Sequence, residues 1–291
     1  MFGKSNLATV SVIPLKGAIA ANMGGGGFGQ SKTLDFDTTE ERIRKAFNVG
    51  GLKAVVLDIN SPGGSPTQSA MIGDHIRYLA EKQGVPVYAS AQDVAASGGY
   101  WLACAADEIY AAAPTSMIGS IGVISGGLAY PKLARRLGIE QRIHTAGKSK
   151  SRMSPFEEQK PEDIEWLKGR LEETHNFFKQ WVVERRGVKL KIEEFDLDNE
   201  IFTGDVWHAP QAHKIGLIDA IGAYKPALQK QFGESVRFKT FGPARSGGLI
   251  SRFLSASTGA AYTPENIGEQ IVEAGLSAMK NESLWAPYTM R

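Results

Sequence analysis

Ser97 lies in Ala95-Ala96-Ser97-Gly98-Gly99, a serine with only small residues on either side. The apolar run Val85–Ala91 before it reads as a buried strand, and Trp101–Ala106 after it reads as a helix. The serine therefore sits where a strand turns into a helix. Small residues let the backbone fold tightly there and leave the hydroxyl uncovered, beside N–H groups that open a helix and can hold a developing negative charge. A nucleophile needs that geometry. The competing reading is a helix-capping serine in a small-residue packing site, and against the hydrolase elbow Gly-x-Ser-x-Gly only Gly99 matches, because position 95 is Ala. A second glycine turn, Asn60-Ser61-Pro62-Gly63-Gly64-Ser65, comes after the apolar run Lys53–Ile59. Alone it reads as an ordinary turn. Beside the first, it aims N–H groups of Gly63 or Gly64 and of Gly98 at one substrate carbonyl.

A nucleophilic serine needs a base. Of five histidines, His75 falls in a helical stripe, His175 in the charged segment 161–186, and His208 and His213 within Trp207–Lys214. His144, ahead of a loop, is the one that position leaves open. The other source is a lysine kept neutral by burial, since removing an ammonium from water disfavours its charge. Thr145–Pro155 offers Lys148 and Lys150 on a Gly- and Ser-rich loop, where a lone lysine otherwise reads as solvated surface.

The elements that must position these groups alternate. Strands are expected at Leu7–Leu15, Lys53–Ile59, Val85–Ala91, Glu108–Ala112, Ile121–Ile124 and Ile139–Ile143. Helices are expected after Thr38 or Thr39 towards Phe47, over Ser69–Glu81, after Ser97, and over Pro161–Arg186. This alternation predicts an α/β fold with a mostly parallel sheet and crossover helices, in which reactive groups gather at the carboxyl ends of the strands. Gly24–Gly29 lacks the Lys-Ser/Thr that a phosphate loop requires and reads as a loop.

The 291 residues, 42% hydrophobic and 22% charged, suffice for one large domain with an extension. A formal charge of +2 gives no reason to expect a nucleic-acid partner, and the single Cys104 allows no internal disulfide and reads as core. No His/Cys/Asp cluster has ligand spacing for a metal, and neither metal nor organic cofactor is expected. No apolar run approaches the roughly 20 residues that span a bilayer.

Asn60-Ser61-Pro62-Gly63-Gly64, Ala95–Tyr100, Ile118-Gly119-Ser120-Ile121-Gly122-Val123, Gly147–Pro155 and Phe202–Trp207 with Gly216–Asp219, in this order, resemble the signal peptide peptidase A and SohB serine proteases of peptidase family S49. The resemblance runs from about Leu7 to about Gly222. It implies a spiral of βαβ units like that of the Clp proteases and crotonases, and a Ser/Lys dyad. It implies Ser97 as nucleophile, Lys150 as base because the family lysine lies three residues before Met153-Ser154-Pro155, and Ser120 as the hydroxyl that orients the lysine amine. Gly64 and Gly98 are then the oxyanion donors. Clp-type relatives use a histidine near the position of Ser120-Ile121-Gly122-Val123, where this chain has none.

The expected domains are 1–241, a peptidase of this type, and 242–291, a linker with a helical extension carrying Ile267, Ile271, Ala274 and Ala278. The expected function is serine endopeptidase action on extended peptides, signal-peptide remnants or unfolded protein segments, through an acyl-enzyme. The alternatives are a crotonase-like acyl-CoA hydratase or thioesterase, and an inactive or capsid-type scaffold. Single-copy relatives form rings, which implies a homo-oligomer with sites shared between subunits. Many relatives carry an amino-terminal anchor, whereas Met1–Asn6 leads straight into a strand pattern. A cytoplasmic location is the resulting expectation, with peripheral membrane association or a periplasmic location as the alternative if an anchor was removed.

Overall fold

The computed structural model describes residues 8–21, 33–191 and 193–243. The loop expected at Gly24–Gly29 and nearly all of the expected extension, 244–291, lie outside the described residues. In chain order the framework comprises β1 (Thr9–Lys16), α1 (Phe36–Phe47), β2 (Leu52–Ser61), α2 (Pro66–Gln83), β3 (Val87–Ala96) and α3 (Gly98–Ala103). It continues with β4 (Glu108–Ala111), β5 (Met117–Gly119), α4 (Pro131–Arg136) and α5 (Pro161–Arg186). It ends with β6 (Val206–His208), α6 (Ala209–Ile215), β7 (Ala220–Ile221), α7 (Tyr224–Phe232) and β8 (Arg237–Thr240).

The sheet runs β6-β5-β3-β2-β1-β8, with β4 paired to β3 and β7, and every pairing is parallel except β5 with β6. The α/β class and the mostly parallel sheet are those expected from the alternation. Strands covered on both faces read as unbroken apolar runs, as in β2, where Ala54, Val55, Val56 and Leu57 are all fully buried. β3 is longer than either neighbour on its far side. Its first half, Tyr88–Ala91, pairs with β4 and its last three residues, Val94–Ala96, pair with β5. The sheet therefore forks along β3.

Four local expectations are corrected. The cap of α1 is Asp35, whose carboxylate accepts from Thr38 N at 2.8 Å, so the helix begins ahead of Thr38 and Thr39. The helix after Ser97 starts at once, at Gly98, rather than at Trp101. The strand expected over Ile121–Ile124 is Met117–Gly119 instead, because the chain leaves the sheet at Ser120, while Ile121 is a buried plug and Ile124 is exposed. Ile139–Ile143 forms no strand; both isoleucines are exposed, so the apolar alternation there has no sheet to face.

α3 and α5 hold the back of the fork. The ring of Trp101 stacks on Phe178 at 4.9 Å, and the buried Tyr100 hydroxyl donates to the Leu217 carbonyl at 2.7 Å. Burial is the main reason that the Tyr100 phenol is held well above its usual value. Arg186, at the end of α5 and with its side chain 1% exposed, donates to the Gly216 carbonyl and pairs with Asp219 at 2.8 Å. Asp219 also accepts from Ile109 N, so this one carboxylate joins α5, β4 and the chain ahead of β7. Burial pushes the Asp219 carboxyl up, but the hydrogen bond and charge of Arg186, with the Ile109 N–H, outweigh it and hold the group below its usual value.

A carboxylate depressed in the fold stabilises it above the unfolded value of about 3.9 and loses that contribution as pH falls through the folded value. Asp219→Ala leaves a buried guanidinium unpaired and is expected to cost about 3 kcal/mol or more at pH 7 in urea unfolding. The variant should also lose less stability than the parent below about pH 4. Cys104 is buried and its thiol pushed up to about 12, chiefly by burial. It should resist a thiol reagent in the native protein and react once denaturant is added.

Candidate active site

The carboxyl ends of β2, β3 and β5 meet at one edge. β3 ends at Ala96 and α3 begins at Gly98, so Ser97 occupies the joint, as the strand-then-helix pattern predicts. Its backbone has φ 52° and ψ −123°. A non-glycine residue there costs about 1–3 kcal/mol and persists only where its surroundings impose it. They do: Ser97 N donates to Gly119 O at 2.8 Å, and Ser97 O accepts from Tyr100 N and Trp101 N, each at 2.9 Å. The side chain is half-buried, and among the described residues its hydroxyl has no hydrogen-bond partner.

Ser120 is placed by the same ladder. Ala96 and Gly119 are paired partners in β3 and β5, so the next residues, Ser97 and Ser120, leave the sheet side by side. Both have φ 52°. Ser120 is held by its N–H, which donates to Asp205 O at 2.6 Å. The motif Phe202–Trp207 thus acquires a structural task, since Trp207 also lies against the face of Gly119 that a Cβ would fill.

The glycine turn after β2 packs directly on the Ser97 turn. A Cβ on Gly63, where φ is +99°, would fall 2.7 Å from both the Ser97 Cβ and the Gly98 N. No side chain fits, so glycine is required to bring the turns together. The Gly63 N–H is engaged by Ser61 Oγ at 3.2 Å. Among the described residues neither the Gly64 N–H nor the Gly98 N–H donates a hydrogen bond, so of the sequence's two choices, Gly63 or Gly64, the free donor is Gly64. The chain after β1 braces this turn from behind, with Ile19 N donating to Gly63 O at 2.8 Å and Ser65 N to Ile19 O at 2.7 Å.

The candidate bases are placed elsewhere. Lys148 and Lys150 lie in an exposed turn of the segment between β5 and α5, where Lys150 N donates to Gly147 O at 3.2 Å. Among the described residues neither ammonium forms a hydrogen bond or ion pair with Ser97 or Ser120. One chain by itself does not bury either amine. Of residues 122–160 only Ala134 is buried. The histidines are accounted for: His75 lies in α2, His144 is exposed, and His175, His208 and His213 contact the carbonyls of Ile121, Thr115 and Asp219. None bonds Ser97. Nothing in the residue pattern signals the roles of His175 and of the Asp205 carbonyl, because both act on backbone atoms that are far away along the chain.

No helix among the described residues is long and apolar enough to cross a membrane. Over residues 80–234 the chain matches the family model described as peptidase family S49. It is 38% identical over 282 residues to a Brucella abortus protein named Na(+)/H(+) antiporter NhaA, covering 96% of this chain and 36% of that one. It is 34% identical over 189 residues to the chloroplastic serine protease SPPA of Arabidopsis thaliana, covering 65% of this chain and 27% of that one. To protease 4 of Haemophilus influenzae it is 31% identical over 199 residues, covering 67% of this chain and 30% of that one. The chain thus spans about a third of the length of these relatives. The matched residues include β3 from its first residue, Ser97, Ser120, both lysines and the Asp205 loop, and the family match together with this parallel α/β framework leads to one conclusion: the chain belongs to peptidase family S49.

Proposed function

We propose that this protein is a serine-type endopeptidase in which Ser97 is the nucleophile, Lys150 the base, Ser120 the hydroxyl that orients the lysine amine, and Gly64 and Gly98 the oxyanion donors. The observation that carries this reading is the pairing of Ala96 with Gly119. It delivers two serines with the same positive φ to one edge, beside two N–H groups with no partner among the described residues. Neutral Lys150 takes the proton from Ser97 Oγ as that oxygen bonds to the peptide carbonyl carbon. The carbonyl oxygen becomes an oxyanion held by Gly64 and Gly98, each such donor contributing about 3 kcal/mol to the transition state. The lysine returns its proton to the leaving amine as the C–N bond breaks. Water, deprotonated by the now neutral Lys150, then attacks the acyl carbon, and the lysine returns that proton to Ser97 Oγ as the ester bond breaks.

The site is completed, on this reading, between copies in a homo-oligomeric ring. Lys150 needs a desolvated pocket that one chain does not provide. The segment that bears it also exposes Ile124 at 81%, Leu128 at 66% and Leu137 at 62%, an apolar surface of the kind that subunit contacts cover. From Ile124 to Arg152 the chain carries seven cations against the single carboxylate of Glu140, a charge that the more acidic remainder of a neighbouring copy complements. The substrate class is an extended peptide or unfolded protein segment, with signal-peptide remnants as the narrower choice. Peripheral membrane association belongs to the same proposal, supported by the likeness to a much longer antiporter-named protein.

In a fluorogenic peptide assay, Ser97→Ala and Lys150→Ala should each lose at least about a thousandfold in kcat, while Lys148→Ala keeps most of it. Loss in Lys148→Ala with retention in Lys150→Ala would move the base to Lys148. When the Ser97→Ala and Lys150→Ala proteins are dissociated, mixed and reassembled, activity should reappear, because some sites then draw an intact serine and an intact lysine from different copies. No recovery on mixing would show that each chain builds its own site.

A further inference from the structure

The turn that carries Ser120 is held by a contact that the peptidase reading leaves unused. Gly122 N donates to Ser120 O at 3.0 Å, which closes Ser120-Ile121-Gly122 into a three-residue turn centred on Ile121. The Ile121 side chain is fully buried, and its carbonyl, at the middle of the turn, meets His175 Nε2 at 3.0 Å. A carbonyl only accepts, so Nε2 carries the proton.

His175 lies on α5 and is half-buried. Its place in the connectivity gives the bond its leverage. The chain departs at Ile121 into the segment that bears Lys150, and that segment returns as α5. His175 therefore ties the outgoing end of the segment to the helix into which it returns. The segment itself has little core to fix its course, and its ties include Arg152 with Asp163 at 2.8 Å and over the Trp166 ring at 5.0 Å, Arg135 with Glu158 at 2.7 Å, Ser154 Oγ to Gln141 Oε1 at 3.1 Å, and Tyr130 N to Pro155 O at 2.6 Å. Each of these lies within the segment or at its junction with α5. Among the described residues, the His175 contact is the one hydrogen bond from α5 to its departing root.

We propose that His175 is a positioning residue of the peptidase site. Through the Ile121 carbonyl it holds the turn in which Ser120 is presented, and it sets the direction in which the Lys150 segment leaves the sheet. The inference rests on the Ser97, Lys150 and Ser120 reading above, and His175 itself touches neither substrate nor reacting atoms.

The test uses the full-length assembled protein with a fluorogenic peptide for kcat and KM, and a fluorophosphonate for the rate of Ser97 labelling. The variants are His175→Leu, which cannot donate, His175→Asn, whose amide reaches only as far as Nδ1, and His175→Gln, whose amide nitrogen reaches the position of Nε2. His175→Leu and His175→Asn should lower kcat and the labelling rate about tenfold, the worth of one hydrogen bond, with KM within about twofold. His175→Gln should recover most of both rates. If His175→Leu does not fold, the Asn and Gln pair carries the comparison. The inference is overturned if the Asn variant keeps the parent rates, if Gln fails to restore what Asn loses, or if the loss appears in KM alone. Ser97→Ala, run alongside, separates the two levels. Activity retained there sinks the serine peptidase reading itself, whereas an inactive Ser97→Ala beside an unaffected Asn variant sinks only the role of His175.

Discussion

The candidate site depends on one ladder contact, Ala96 of β3 against Gly119 of β5. A parallel pairing carries both chains in the same direction, so the residues after each strand emerge at the same edge. β3 can reach β5 only because β4 releases it after Ala91, and the fork leaves Val94–Ala96 available for a second partner. Ser97 and Ser120 are then neighbours although 23 positions separate them in the sequence. Their shared positive φ costs free energy at both residues. It is imposed by bonds to Gly119 O and Asp205 O, not by local preference.

Around that contact the molecule has two mechanical characters. The cradle of Ser97, Gly64 and Gly98 rests on fully buried Tyr100 and Leu102, on the Trp101–Phe178 stack, and on the Arg186–Asp219 pair that joins α5 to β4 and β7. A buried ion pair adds little net stability over an apolar packing, but it strongly penalises arrangements that break it. Its value here is in fixing where α3 and the end of α5 meet. The segment 122–160 is the opposite case, nearly coreless and tied down by a few polar contacts. The exposed side chains of Lys148 and Lys150 on such a segment take their environment from whatever packs against it, and the proposed site shared between copies rests on that.

Hydrogen bonds to main-chain atoms recur as the device that connects distant parts. Asp205 O, Leu217 O, Gly216 O and Ile121 O each accept from an element far away along the chain. A carbonyl is present at every position, so such contacts place few demands on residue type at the accepting end. They leave little trace in sequence, and they decide where the functional side chains point.

Much of the arrangement was legible from residue order alone. The apolar runs of β2 and β3 announced strands covered on both faces, the small residues about Ser97 announced the joint between strand and helix, and the likeness to S49 proteins pointed to Ser120, Gly64 and Lys150. Those signals are local: burial on both faces, tight turns and capping are properties of a few consecutive residues. Ile121–Ile124 and Ile139–Ile143 misled for the same reason, because an apolar run looks alike whether it joins a ladder, plugs a core as Ile121 does, or faces outward as Ile139 does. Only the tertiary structure engaged the Gly63 N–H with Ser61 while leaving that of Gly64 without a partner among the described residues, brought Asp205 and His175 to the Ser120 turn, and left Lys150 exposed in the single chain. Such choices turn on which main-chain group a distant neighbour has already engaged, and that is settled by packing across the fold, with no counterpart in the type or spacing of nearby residues.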